Sequence, residues 1–190
     1  MKNISNVLFE ISSLRQIQRS HAQTLLHTHP TDTIAAHSHL VSVVAFFLGE
    51  AAEADMAKLL TMAIFHDVAE ARSGDQNWIH KRYVTVHEDE IMSDVKAVLP
   101  EETSLIPCLN EYDERATLES KLVKDADIIA QLILVKEYAS SGHAGAQRWL
   151  DNDHMSIHIS TDAGKELWSS MKDVHPQDWQ TTLQTNKNRK

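Results

Sequence analysis

Residues 63–75, AIFHDVAEARSGD, close an apolar run with His66, Asp67, Glu70 and Asp75. Imidazole nitrogens and carboxylate oxygens together suit a borderline divalent metal such as Mn, Fe, Co, Ni or Zn, whereas an all-oxygen shell would favour Mg. A His-Asp pair alone carries little weight. Twelve histidines in 190 residues give on the order of one such dipeptide by chance, so the setting has to decide.

The setting is a set of inward helical faces. Over 54–72 the residues Leu59, Leu60, Ala63, His66, Asp67 and Glu70 recur at helical spacing, so the stripe turns from apolar to ionisable without leaving its face. Upstream, a helix over 35–53 carries Leu40, Val41, Val44, Phe47, Leu48 and Ala51 on one stripe, and His37 falls on it. Downstream, TLESKLVKDADIIAQLILVKEY (117–138) reads as one long helix, apolar nearly all round. It should run through the centre and bury Asp125 and Asp127 as alternatives that periodicity does not separate.

His37, His66, Asp67 and one of the two later aspartates would thus meet from three helices, as a metal site in a bundle core requires. Each has a plainer reading. His37 alone suits a core histidine bonded to a carbonyl, Asp67 could pair with Arg72, and Asp75 could cap the next helix. The joint pattern favours metal, because an unpaired buried carboxylate costs several kcal/mol and a cation offsets that cost.

Positioning these residues calls for an all-α, single-domain bundle over 1–175 with a C-terminal tail over 176–190. Scarce Gly (5) and Pro (4) and 42% hydrophobic residues agree with that class. An amphipathic helix is expected at 4–14 (Ile4, Val7, Leu8, Ile11, Leu14) and a loop at 24–33, where Pro30 disfavours helix at His29. Gly74 reads as a stop signal. A helix over 78–99 would have Ile91, Val95 and Val98 as core residues, followed by a short acidic helix or loop to 115. Beyond Ser140-Ser141-Gly142 periodicity returns only in a last helix near 162–171.

The net charge of −9 argues against duplex nucleic acid as a partner, since that affinity comes from Lys and Arg on phosphates. A small anion needs only local cations, and WIHKRY (78–83) offers Lys81 and Arg82 just past Asp75 to balance a phosphate, with a solvated helix face as the alternative. Trp78 reads as core in preference to a base-stacking ring. The single Cys108, the lack of a secretory leader pattern and of any segment approaching the roughly 18 uncharged apolar residues of a span give the expectation of a cytoplasmic protein without a membrane partner.

The segments AAHSHLVSVVAFFLGE, FHDVAEARSGD and KLVKDADII, in that order, resemble the HD superfamily of metal-dependent phosphohydrolases, in particular its small 5'-deoxynucleotidase-like members, over about 14–140. The resemblance implies an all-α bundle and a homodimer. It implies one divalent transition metal held by His37, His66, Asp67 and Asp127, thereby choosing Asp127 over Asp125. It also implies that Glu70 orients or activates the attacking water and that Asp75 assists proton transfer near the phosphate, roles that suit a carboxylate beside a water-acidifying metal. In those members an Arg followed by an aromatic contacts the substrate; Arg19 matches the Arg, but Ser20 and His21 follow it.

The implied activity is release of phosphate from small nucleotides, foremost (deoxy)nucleoside 5'-monophosphates. One alternative is a binuclear HD phosphodiesterase or dinucleotide hydrolase, for which His80 and His87, seven apart on one expected helical face, would hold a second metal. The other is a non-catalytic nucleotide-binding regulatory module, which would have little use for both Glu70 and Asp75.

Overall fold

In the computed structural model, which describes residues 2–26 and 31–185, the chain is all-α, with no strand among the described residues. Helices α1 (Lys2–Ser12) and α2 (His21–Leu25) lead into α3 (Ile34–Ala51) and α4 (Met56–Phe65). Short α5 (Glu70–Ser73) and α6 (His80–Tyr83) precede α7 (Glu88–Val98), α8 (Leu105–Glu114) and the 23-residue α9 (Leu118–Ser140). The chain ends in α10 (Ala144–Asn152), α11 (Asp162–Lys172) and α12 (Asp178–Thr185). Of the expected loop over 24–33, residues 27–30 lie outside the described part, and Thr24 and Leu25 belong to α2.

The core forms where α3, α4 and α9 pack together. Leu48, Leu59, Met62, Leu122 and Ile129 are fully or almost fully buried there. Each such side chain stabilises the fold by roughly 1.5–3 kcal/mol relative to exposure, which fixes the three helices that carry the chemistry. Thr33 and Thr117 cap α3 and α9 by accepting from the Ala36 and Ser120 N–H groups, and Asp55 caps α4.

Several expectations are corrected. Phe47 lies about a third of a turn off the Val41 direction on α3 and is largely exposed, as Leu8 is on α1. Helix α3, 18 residues with a hydropathy of 1.4, is by length and composition long enough to cross a membrane, contrary to the expectation; here it packs against α4 and α9 and buries His37 and Ser38. The expected helix over 78–99 is broken at Val84, Thr85 and Val86, where three consecutive β-branched residues disfavour helix and the backbone is extended at Val84. His80 and His87 therefore sit on either side of a break and share no helical face, and His87 pairs at the surface with Glu90.

Helices α10 and α12 were not expected. The first starts on an unusual cap, His143 Nδ1 accepting from the Ala146 N–H, and the second lies in the expected tail, whose last residues, 186–190, are outside the described part.

His37 meets Asp127, whereas Asp125 is fully buried and turned away from that histidine. It accepts the Ser160 and Thr161 N–H groups, each at 2.8 Å, and both hydroxyls, so it anchors the entry to α11. Gly164 makes room for it, since a Cβ there would come within 2.7 Å of Asp125 Oδ2. Asp125→Ala should cost about 3 kcal/mol of stability, because hydrogen bonds to a buried charge are worth more than neutral ones. The thermal midpoint should fall by roughly 10 °C with metal content intact. A melting curve and elemental analysis of the same sample check this, and lost metal with an unchanged midpoint would contradict it.

Candidate metal centre

The helix expected over 54–72 does not run through. Helix α4 ends at Phe65, and residues 66–69 form tight turns in which Val68 N–H donates to Phe65 O and Glu70 N–H to Asp67 O, both at 3.0 Å. The cause is local: His66 Nδ1 lies 2.9 Å from Ala63 O, the carbonyl that an uninterrupted helix would give to Asp67 N–H. A carbonyl only accepts, so Nδ1 carries a proton at any charge state of the ring, and Nε2 is the nitrogen at which either a second proton or a metal can sit. The turn then presents His66 and Asp67 together.

His37 from α3 and Asp127 from α9 meet them. His37 Nε2 lies 3.0 Å from Asp127 Oδ1 and 3.8 Å from Asp67 Oδ2, and His66 Nε2 lies 3.1 Å from Asp67 Oδ2. Donor atoms of His37, His66 and Asp127 all fall within 4.8 Å of one another. Both imidazoles are almost wholly buried, and the His66 ring packs edge-on against Tyr112.

Charge is crowded here. Burial opposes an imidazolium at His66, yet the Asp67 and Asp127 carboxylates push its pKa up to about 9. Burial likewise works against the Asp127 anion, but Lys124 Nζ at 2.7 Å and the His37 hydrogen bond hold it well below the usual carboxylate range. Glu70 is the converse case: burial, then the charges of Asp67 and Asp75, push it up to about 9.

Among the buried side-chain atoms that make no hydrogen bond are His66 Nε2, whose contact with Asp67 Oδ2 is an ion pair, and Glu70 Oε2. A cation beside Nε2, and a water between it and Glu70, would satisfy both, so the donor set fits a divalent transition metal.

Arg19 reaches this centre through the only isolated bridge among the described residues, Gln18 with Thr33, which lays the 17–20 segment along the start of α3. Its guanidinium lies 3.5 Å from Asp67 Oδ2, 3.8 Å from Asp75 Oδ1 and 3.2 Å from Gln131 Oε1. Burial opposes its charge, but Asp75, Asp67 and Asp127 raise its pKa above the ordinary arginine value. Asp75 accepts from the Ser20 N–H and hydroxyl at 2.5 and 2.6 Å and caps no following helix; Asn77 Oδ1 takes that part for Ile79 and His80. Asp67 does not pair with Arg72, which binds Glu10 and Asp94.

A cleft of about 290 Å³ opens beside the cluster, with Arg19, Glu70, Asp75, Lys81, Lys124 and Trp149 in its wall. The structure therefore brings together His37, His66, Asp67, Asp127, Arg19, Glu70, Asp75 and Lys81. Arg82 is exposed and outside the cleft wall, and neither His80 nor His87 joins the cluster. Trp78 is not core; it is exposed on the cleft.

Sequence reasoning passed over Lys124 and Gln131, although their spacing from Asp127, three before and four after, places all three on one helical stripe. It also passed over His21. Thr31 Oγ1 donates to Asp32 Oδ1 at 2.9 Å and so accepts from His21 Nε2 at 2.6 Å, and burial pushes this imidazole down to about 4 and keeps it neutral.

The helical bundle thus gathers two imidazoles and two carboxylates, from α3, the turn after α4 and α9, beside an open cleft, which is the arrangement of an all-α protein with a metal centre. The chain belongs to the HD domain family, whose model matches residues 11–168. A conserved hypothetical protein from Pyrococcus furiosus has 26% sequence identity and a TM-score of 0.68, over 89% of this chain and 99% of that one. A predicted metal-dependent phosphohydrolase from Magnetospirillum magnetotacticum has 19% identity and a TM-score of 0.64, over 88% and 89%. The HD phosphohydrolase DatZ of cyanophage S-2L, bound to dA and one catalytic Zn2+ ion, has 19% identity and a TM-score of 0.52, over 87% and 96%. No curated protein sequence matches the chain.

Proposed function

We propose that the protein hydrolyses the phosphomonoester of small nucleotides, foremost (deoxy)nucleoside 5'-monophosphates, with one divalent transition metal held by His37, His66, Asp67 and Asp127. The observation that carries this reading is a pair of buried atoms without a hydrogen bond, His66 Nε2 inside the histidine and aspartate cluster and Glu70 Oε2 from a residue in the wall of the adjoining cleft, which also holds Arg19, Asp67 and Asp127. The dA and single zinc ion in the name of the cyanophage relative support the substrate class and the metal count.

When bound, the metal supplies polarisation of a phosphoryl oxygen and acidification of water. Around it, Arg19 and Lys81 bind the phosphate oxygens, and Arg19 is held in place by Gln131 and by Asp75, which itself is fixed by Ser20. Glu70, a carboxyl in the cleft wall with a buried Oε2, would be the group that accepts the proton of the attacking water, in its ionised form. Asp75, next to Arg19, assists proton transfer to the leaving 5'-oxygen. Water and the monoester thus yield inorganic phosphate and a nucleoside. The buried free thiol of Cys108 supports a cytoplasmic setting, and the homodimer remains the assembly that the resemblance implies.

The binuclear alternative loses its main support with the separation of His80 and His87. A screen of Mn, Fe, Co, Ni, Zn and Mg against nucleoside mono-, di- and triphosphates and cyclic dinucleotides, scored by phosphate release, tests the reading. Release from 5'-monophosphates with a transition metal, abolished by chelation, is expected. Turnover confined to cyclic dinucleotides, or to di- and triphosphates, would overturn it.

A further inference from the structure

Trp78 is 65% exposed, although it belongs to the wall of the reactive cleft. An indole carries a large apolar area, and leaving it in water beside a polar cluster asks for an explanation that a surface leucine would not. Its backbone is held firmly. Next to it, the buried Asn77 accepts from Ile79 and His80 N–H through Oδ1 and donates through Nδ2 to Ser20 O and Gln23 Oε1, each at 3.0 Å. Those bonds clamp the turn to the segment that carries Arg19, so the ring is offered to the cleft from a fixed base. Three residues on, Lys81 lies in the same cleft wall and offers an anion contact.

A cation and an aromatic face at that spacing match a ligand that joins a phosphate to a flat ring. We infer that Trp78 is the platform on which the nucleobase of the substrate stacks, and that it is a specificity-determining residue for base-bearing over base-free phosphomonoesters. This rests on the phosphomonoesterase reading for its kinetic arm only. Ring stacking on an indole tolerates any base, so the platform selects for a nucleobase without choosing among them.

The test compares wild type, Trp78→Ala and Trp78→Phe in two measurements. In the first, KM is measured for a nucleoside 5'-monophosphate and for ribose 5-phosphate; in the second, calorimetry measures binding of the nucleoside without phosphate. For Trp78→Ala, KM for the nucleotide should rise roughly tenfold more than KM for ribose 5-phosphate, and nucleoside binding should weaken by about the same factor. Trp78→Phe, which keeps a ring, should recover most of both. Equal effects on the two substrates, or nucleoside binding indifferent to Trp78→Ala, would overturn the inference while leaving phosphate release untouched. Failure of the wild type to release phosphate from any monoester, with nucleoside binding still dependent on Trp78, would instead overturn the proposed reaction and leave the platform standing.

Discussion

His37→Ala and Asp67→Ala are each expected to lose the bound metal and to release phosphate at least ~10²-fold more slowly, while the helical bundle still forms. Removing groups that merely orient metal ligands already costs ~10–100-fold in metal affinity or activity, so loss of a ligand itself should reach or pass the upper end. The fold should survive because its stability comes from the α3–α4–α9 core, to which these two side chains contribute little apolar area. Elemental analysis with circular dichroism on the same sample checks both halves. Full metal occupancy in either variant would remove that residue from the ligand set.

A plain core histidine at position 37 forecasts the reverse, a lowered melting point with no metal to lose. The wild-type protein adds a pH signature. Without metal, His66 holds a proton up to about 9, and a metal must displace it, so apparent metal affinity should strengthen as pH rises from 6 towards 9. An affinity that does not change over that range would sink His66 as a ligand.

Glu70→Gln and Asp75→Asn should keep the metal and lose ~10²-fold in turnover, the scale of a missing general acid or base. Glu70 Oε2 is buried without a partner, and its carboxyl is raised to about 9 by burial and by Asp67 and Asp75, so the group is built to change protonation rather than to anchor structure. An amide keeps its shape and cannot take the proton. Asp75 is bound through Oδ2 to Ser20, a contact that asparagine's carbonyl can reproduce, but its other oxygen faces Arg19 Nε, where an amide N–H group would repel the guanidinium. Helix capping cannot mask the result, since Asn77 performs it. Kinetics of metal-loaded Asp75→Asn within a few fold of wild type would take Asp75 out of the mechanism.

The inward faces of α3, α4 and α9 were legible in the sequence because 3.6-residue periodicity depends only on which side of a helix is apolar. That placed His37 inward and gave the all-α class. The choice between Asp125 and Asp127 was harder on a helix apolar nearly all round. Two residues along a helix are about 200° apart, so one aspartate had to leave the cleft, and α11, seating its entry on Asp125, shows which. The Lys124, Asp127 and Gln131 stripe held the same answer in the sequence, in polar and not apolar spacing.

By itself, then, the sequence determined the helical class and the inward direction of His37 and His66, since these follow from local periodicity and side-chain chemistry. Tertiary structure alone decided the rest. The break at His66 depends on a side chain competing for one carbonyl. The exclusion of Arg82, the parting of His80 from His87 and the exposure of Trp78 depend on how the 76–87 segment leaves α5, clamped by Asn77 to residues more than fifty positions away. Contacts of that length have no period along the chain and form only when the helices have packed.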